Sequence, residues 1–560
     1  MTIMQTSHDS TGALPMDNAL VSGADLTILY GSQTGNAEFL AHQIFEKAET
    51  AGLLAEIQTL NEALDNHQLI WKRLLIVTST HDNGHMPDNS NAFWQWLQQA
   101  PENVYEGLPY AVLTIGDTMY EDFCKAGQDL DQRFAELGAI PIATRLECDV
   151  DFDMTSTRWI KEFLASAPDA GPWQPARSFT PGHADPEAYG TEAEPVCNAV
   201  VTAARQLTGA GSSKRVIHYE LRVDGAFAYK CGDSLDIFPA NPETLVSQWL
   251  EHFPAAEPVS LDGRMRSLTE VLRNHLELRL PHLGLIKALA GHCAESTSAR
   301  EAMALLESGN RQGMDTWLWG RDVLDVVKEF GVGAQDLQLV IDTLRPLQRR
   351  SYSIASSPRR DGNLVHLTVS SVSYERAGRS HVGVGTNFLE RAAATGENLR
   401  IQRIAAHEFQ LPMDDAPIIM IGPGVGVAPF IGFLHDIEEV KAPNKTWLFF
   451  GDRHRTDDWL YEEQMRLWQE NGTLNELDLA FSRDQADKHY VQDELLSRGE
   501  ELLAWINTGA HIYVCGDKNR MARDVESALI DILSPDGQRE LGTARLEELR
   551  ARGRYTKDVY

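Results

Sequence analysis

Cysteine is scarce in this chain: 560 residues hold six, Cys124, Cys148, Cys197, Cys231, Cys293 and Cys515, and none forms a C-x-x-C pair. That argues against a disulfide framework and against a thiolate-built zinc or iron–sulfur site, and it fits a reducing, cytoplasmic compartment; no metal ligand set is read from the sequence. Positive charge is also short, with 50 Lys and Arg against 81 Asp and Glu and a formal net charge of -31. So acidic a chain repels nucleic-acid phosphates and anionic membranes, which leaves a basic protein partner, plain solubility or adaptation to a salty cytoplasm as readings of the charge. Long apolar runs are missing as well. The most apolar stretch, 416–434, is broken by Gly422, Pro423, Gly424, Gly426 and Pro429, which would expose backbone polar groups in lipid. The first two dozen residues have neither a basic start nor an apolar run, so no signal peptide is expected.

What is present is apolar content, 43%, spread over a chain too long for one core, so several domains are expected. From Leu26 onward short apolar strands alternate with amphipathic helices: Leu26 to Tyr30, a helix from Ala37 to Ala48, Leu74 to Val77, a helix near Phe93 to Gln98, and Ala111 to Ile115. That rhythm belongs to a parallel sheet covered on both faces. Residues 1–25 read as a disordered tail, and 169–212, rich in Pro, Gly, Ala and acidic residues, as a linker with one short helix. Period-two alternation at Val216, His218, Glu220 and Arg222 opens an antiparallel barrel that resumes at Tyr352 and at Val365 to Ser370. Between them, at about 242–345, the spacing turns helical, as at Leu245, Trp249 and Phe253. Strand–helix alternation returns with Ile418 to Ile421, Thr446 to Phe450 and His511 to Cys515. The expected architecture is α/β multidomain: a doubly wound domain at 26–168, an antiparallel barrel with a helical insert at 213–412, and a second parallel domain at 413–560.

Three small-residue loops leave strands. In Ser32-Gln33-Thr34-Gly35-Asn36-Ala37 hydroxyls and amides open a helix, and the absence of Lys and of G-K-[ST] suits a monophosphate rather than a triphosphate; a helix cap from Ser32 or Thr34 is the competing reading. The loops from Ser79 to Gly84 and from Gly116 to Cys124 leave the next strand ends, so all three meet at one crevice, where Tyr120 is placed either to stack on a flat ring or merely to pack. In Arg350-Ser351-Tyr352-Ser353 the Arg can clamp a pyrophosphate and the Tyr faces the same side, while Gly383-Val384-Gly385-Thr386 offers an anion site at a helix start. A surface ion pair and a glycine turn compete with these readings. Gly422, Gly424 and Gly426 permit close approach to a second pyrophosphate. Downstream Ser482, Arg483, Lys488, Tyr490 and Gln492 suit a ribose 2'-phosphate, favouring NADPH over NADH, unless they are only a solvated basic patch. Cys515, taken alone, is a buried core thiol.

In this order the motifs resemble the diflavin reductase family: a flavodoxin-like domain, an FAD-binding barrel like that of ferredoxin-NADP reductases interrupted by a helical connecting insert, and a Rossmann-like NADP-binding domain. The resemblance implies that Ser32 to Ala37 hold the FMN phosphate. Ser79, Thr80, Gly84, Gly116, Asp117, Tyr120, Phe123 and Cys124 would lie around its ring. It implies FAD contacts from Arg350, Ser351, Tyr352, Ser353, Thr368, Val369, Ser370, Gly383, Val384, Gly385 and Thr386, and counts Asp524 among the cofactor-binding residues. Ser353, Cys515 and Asp558 would assist hydride transfer at the flavin edge, with Tyr560 covering the ring. The chain departs from the family pattern at His81-Asp82, at Cys231 and at Val425. Trp447 to Asp452, Tyr490 to Asp493, His511 to Asp517 and the closing Asp558-Val559-Tyr560 are most similar to the branch that serves sulfite reduction. NADPH gives two electrons together and haem accepts them singly, so the implied order is NADPH, FAD, FMN, and then a separate haemoprotein, the sulfite reductase haemoprotein subunit in sulfate assimilation. Glu121 and Asp122 would steer a basic partner. A nitrate reductase or haem-thiolate monooxygenase as acceptor, an oligomer, and a non-catalytic flavin-binding scaffold remain open.

Overall fold

Strands buried on both faces need continuous aliphatic sequence, and the first sheet has such runs at its centre, while its outer strands are shorter or carry polar residues. Its strands are β1 (Leu26–Gly31), β2 (Ala55–Thr59), β3 (Leu74–Ser79), β4 (Pro109–Ile115), β5 (Ile140–Pro141) and β6 (Leu146–Cys148). All pairs are parallel, in the order β2-β1-β3-β4-β5 with β6 beside β4. The helices are α1 (Asn36–Thr50), α2 (Leu60–Asp65), α3 (Asp88–Gln99), α4 (Lys125–Glu136) and α5 (Asp153–Ala165). They make a core on each face, one around Phe93, Leu97, Leu130 and Phe134, the other around Leu40, Ile44, Phe152 and Phe163. Strand order reverses between β1 and β3, which opens a crevice at the carboxyl ends of the strands.

This computed structural model describes residues 23–32, 35–65, 71–80, 84–116, 122–149, 152–165, 195–254, 258–261, 263–308, 310–406, 409–517, 520–534 and 537–559. The chain divides into two units, Met1–Ala193 and Glu194–Tyr560. The expected tail at 1–25 lies almost wholly outside the described residues, as does the expected linker helix up to residue 194.

The second unit starts with β7 (Cys197–Gln206), β8 (Arg215–Val223) and β9 (Ser234–Phe238). β7 corrects the linker reading of 169–212: Ala203-Ala204-Arg205-Gln206 has no apolar alternation because that end of the strand is exposed, and a bulge lies between Val201 and Ala203. The hairpin β10 (Val259–Leu261) and β11 (Arg264–Arg266) lies within the helical insert, whose helices from Glu243 to Thr343 close on their own core around Trp249, Leu285 and Val327. Then come β12 (Arg350–Ser353), β13 (Leu364–Ser371), β14 (Ser373–Arg376), β15 (Arg379–Val382) and β16 (Leu399–Ile404). The antiparallel order is β12-β9-β16-β7-β8-β13, and the sheet curls until its two edges meet, Ile354 bridging Leu367.

The remaining strands are β17 (Ile418–Ile421), β18 (Thr446–Asp452), β19 (Glu476–Phe481), β20 (His511–Gly516) and β21 (Tyr555–Val559), a parallel sheet ordered β19-β18-β17-β20-β21. β19 and β21 escape the sequence reading because Glu476, Asp478, Lys557 and Asp558 interrupt any apolar run. Among the described residues no helix is long and apolar enough to cross a membrane.

Candidate functional site

In the first unit the loops after β1, β3 and β4 start side by side. The Ser32 N–H donates to Asn89 Oδ1 (2.8 Å), and Ser32 Oγ accepts from the Gly35 N–H (3.1 Å). Gly35, at φ 89°, is the residue before α1, and among the described residues no side chain caps that helix. A side chain at that φ costs about 1–2 kcal/mol, so glycine is needed there. Ser32 therefore shapes the loop instead of capping the helix, and the first-turn N–H groups of α1, including those of Asn36 and the buried Ala37, point at a site suited to an anion. The buried Ser79 ends β3, and Thr80 Oγ1 accepts from the Ala126 N–H (3.2 Å). A Cβ at Gly84 would lie 3.2 Å from Asp122, and one at Gly116 would lie 2.6 Å from Cys124 N and 3.0 Å from the Phe123 ring. The second and third loops are thus in contact. Cys124 is buried with its thiol directed at Thr114 O (3.6 Å) and Cys148 O (3.5 Å), and burial pushes its pKa up to about 12. Gln33, Thr34, His81, Asp82, Asp117, Tyr120 and Glu121 lie outside the described residues.

In the second unit alternation along β12 sets Arg350 and Tyr352 opposite Ile237 and Leu235 of the barrel core, and turns Ser351 and Ser353 the other way. Gly385 abuts both core-side residues: a Cβ there would overlap Tyr352 Oη and come within 2.9 Å of Arg350 Cγ. Burial pushes the Tyr352 phenol up to about 12. Arg350 Nη2 donates to the buried Glu277 carboxylate (2.7 Å), so its partner is a fixed interior charge and the surface-pair reading fails. Gly383 precedes α6 (Val384–Thr395), which has no side-chain cap, while Thr386 Oγ1 donates back to Gly383 O (3.3 Å). Val369 is in the barrel core, but Thr368 stands on the opposite face and its hydroxyl meets Tyr461 Oη (2.6 Å). Ser370 alternates to the Thr368 side. The hydroxyls of Thr368 and Ser370 are therefore not brought to Arg350 and Tyr352.

At the end of β17, a Cβ on Gly422 would lie 2.6 Å from Gly426 O, one on Gly426 would overlap Cys515 O, and Gly424 takes φ 58°. The glycine loop thereby packs on the end of β20. Parallel register pairs Cys515 with Asp558, placing Sγ 3.8 Å from Asp558 Oδ2. Ser353, from the barrel, donates its hydroxyl to the same oxygen at 2.7 Å. Full burial, with the Asp558 charge second, holds the Cys515 thiol well above its ordinary pKa, so it is neutral. Ser353, Cys515 and Asp558, read as a set, are together.

Ser482, at the end of β19, donates through N–H (2.9 Å) and Oγ (3.2 Å) to Asp452 O. Arg483 and Lys488 are exposed and make no ion pair among the described residues, and Tyr490, 42% exposed, precedes the helix that contains Gln492. Asp524 is exposed in the helix Met521–Leu533, and the structure gives it no bond to the basic residues. Tyr560 lies outside the described residues. Sequence reasoning missed Glu277, Asn89 and Tyr461; of these only Glu277 leaves a signal, a carboxylate set between Leu276 and Leu278.

Comparison with known proteins follows the same division. Residues 28–158 match the flavodoxin family model, 191–388 the FAD binding domain and 420–527 the oxidoreductase NAD-binding domain. The chain is 36% identical over 544 residues to the sulfite reductase (NADPH) flavoprotein alpha-component of Bacillus subtilis, covering 96% of this chain and 89% of that protein. To the protein of the same name from Shigella dysenteriae serotype 1 it is 35% identical over 569 residues, covering 100% and 93%.

Proposed function

Because the chain belongs to the family of sulfite reductase (NADPH) flavoprotein alpha-components, we propose that it takes electrons from NADPH and delivers them, through FAD and then FMN, to a sulfite-reducing haemoprotein subunit in the cytoplasm. It is an NADPH-dependent flavoprotein oxidoreductase. The residues present fit these groups. The start of α1 behind Gly35 suits the FMN phosphate, and the uncapped start of α6 beside Arg350 suits the FAD pyrophosphate. The Gly422–Gly426 loop suits the NADPH pyrophosphate, with Arg483 and Lys488, which make no ion pair among the described residues, left for its 2'-phosphate.

The observation that carries the reading is the junction of Ser353, Cys515 and Asp558. Bound flavins supply the ability to accept two electrons together and release them singly. The chain's own residues fix where this occurs. Glu277 holds Arg350 in one orientation, Tyr352 and Gly385 form one wall, and Asp558 keeps the Ser353 hydroxyl proton on a defined line. A neutral, buried Cys515 stands beside Asp558 without bringing a second negative charge to it.

Mixing the purified protein with NADPH tests the chemistry: its flavin absorbance bleaches, whereas a non-catalytic scaffold keeps its colour. Adding a sulfite reductase haemoprotein and sulfite tests the partner by sulfide formation. Bleaching without sulfide, together with turnover of a nitrate reductase or a haem-thiolate monooxygenase, overturns the assigned acceptor.

A further inference from the structure

Among the described residues, two clusters of histidine and carboxylate stand in the second unit away from the site above, and they differ in what their polar atoms already do. In the first, Asp322, Asp325 and His381 are saturated: Arg379 bonds both carboxylates, Arg376 Nη1 lies 3.6 Å from Asp325, and His381 Nε2 meets Asp325 at 2.8 Å. A cation there would have to displace two guanidinium groups. The second cluster, His218, Glu220 and His366, has donor atoms left over.

Strand alternation puts His218 and Glu220 on one face of β8, and the antiparallel register sets His366 of β13 directly opposite Glu220. One ligating atom from each lies within 4.8 Å of the other two. His218 is 8% exposed, and its Nδ1 is taken by Tyr461 Oη at 2.9 Å. That leaves Nε2 directed at Glu220 Oε1 across 3.8 Å, too far for a hydrogen bond. His366 Nε2 is buried with no hydrogen-bond partner among the described residues, a loss that costs about 1–3 kcal/mol in a finished fold. The two rings meet edge to face with centroids 5.0 Å apart.

We propose that His218, Glu220 and His366 form a binding site for a divalent cation of the zinc class, with three protein ligands and one open position. Tetrahedral zinc with bonds of about 2.0–2.1 Å sets its donors roughly 3.3 Å apart, so the 3.8 Å between His218 and Glu220 needs to close by about half an ångström and the distances to His366, within 4.8 Å, by up to about 1.5 Å. Glu220, with a side chain 36% exposed, provides the entry side. Tyr461 acts as the outer partner that fixes the ring and tautomer of His218. Burial holds both imidazoles below their ordinary pKa, hence neutral, as ligation requires. Because Tyr461 follows β18 while the ligands stand on barrel strands, an occupied site braces the parallel sheet's loop against the barrel. The sequence conceals this site, since His-x-Glu on one strand and a lone His on another make no spacing motif.

The test uses full-length, tag-free, flavin-loaded protein, stripped with a chelator and titrated with Zn2+ and separately with Co2+. One equivalent is expected to bind, with Co2+ giving the intense long-wavelength bands of a four-coordinate site. Glu220→Gln and His366→Gln are each expected to weaken binding at least tenfold without changing flavin content, and Tyr461→Phe to weaken it less. No one-equivalent site, a cobalt spectrum of the hexa-aqua type, or binding that neither Glu220→Gln nor His366→Gln weakens overturns the proposal. The wild-type cobalt spectrum decides even where a variant loses its flavins.

Discussion

Asp558 Oδ2 accepts the Ser353 hydroxyl at 2.7 Å and faces the Cys515 thiol, so one carboxylate holds the junction between barrel and parallel sheet. Replacing it by Asn removes the charge while keeping the size. Asp558→Asn is expected to slow NADPH-driven flavin reduction roughly 100-fold, the scale of a positioned proton-handling group, with FAD content unchanged. Stopped-flow absorbance reads this, and an unaltered rate removes Asp558 from the mechanism. A second prediction concerns His218, whose pKa burial depresses to about 3, with His366 and Arg205 adding to the effect. In the unfolded chain it titrates near 6.5, so between those values the unfolded state binds a proton that the folded state refuses. Stability is therefore present above pH 6.5 and is lost as pH falls, by up to about 1.4 kcal/mol per pH unit. Urea midpoints of chelator-treated protein between pH 7 and 5 are expected to show a shallower slope for His218→Gln. Ser353, Cys515 and Asp558 were legible because each lies in a string that carries the family resemblance; taken alone, Cys515 reads as a core thiol. Their convergence was expected from the resemblance but not from the residues themselves, because it depends on the β20–β21 register, and β21 carries Lys557 and Asp558 where an apolar run would have announced a strand.

Elements were legible in proportion to their burial. β1, β3 and β4 read as strands because both faces are covered, whereas β7 and β19 carry polar residues on an open face and lose the pattern. The glycine at the first turn of α6 was legible as a loop motif, but what it touches was not. Gly385 matters because β12 brings Tyr352 and Arg350 against it, and an added methyl overlaps the Tyr352 hydroxyl. Gly385→Ala is thus expected to push Tyr352 off its wall and leave the purified protein with well under one FAD per chain. FMN should stay near one per chain, since the α1 loop belongs to the other unit. Extraction and chromatography of the flavins measure both. Loss of the two flavins together would mean a general folding defect, and full retention of FAD would move its site elsewhere.

At the scale of the whole molecule, the formal charge of -31 admits readings that a salt series separates. If the charge steers a basic haemoprotein, sulfide formation falls as ionic strength rises from 0.01 M to 0.15 M and the Debye length shrinks from about 30 to about 8 Å. A flat profile leaves the charge to solubility or salt adaptation. The serial order of the flavins is the deeper question, since two units with separate cores each hold one proposed flavin site. Gly35, at φ 89°, gives a means of emptying the first site without touching the second. A β-branched residue there is strained in a way the loop cannot relieve, so Gly35→Val is expected to shed FMN on gel filtration and keep FAD. The full-length variant should still pass electrons from NADPH to ferricyanide within about twofold of wild type, because the Ser353–Asp558 junction is intact. Transfer to the haemoprotein should fall by at least about 100-fold and return on adding FMN, provided FMN is the only exit. Haemoprotein reduction that persists without FMN would show that electrons leave from FAD directly, and the proposed sequence of carriers would fail.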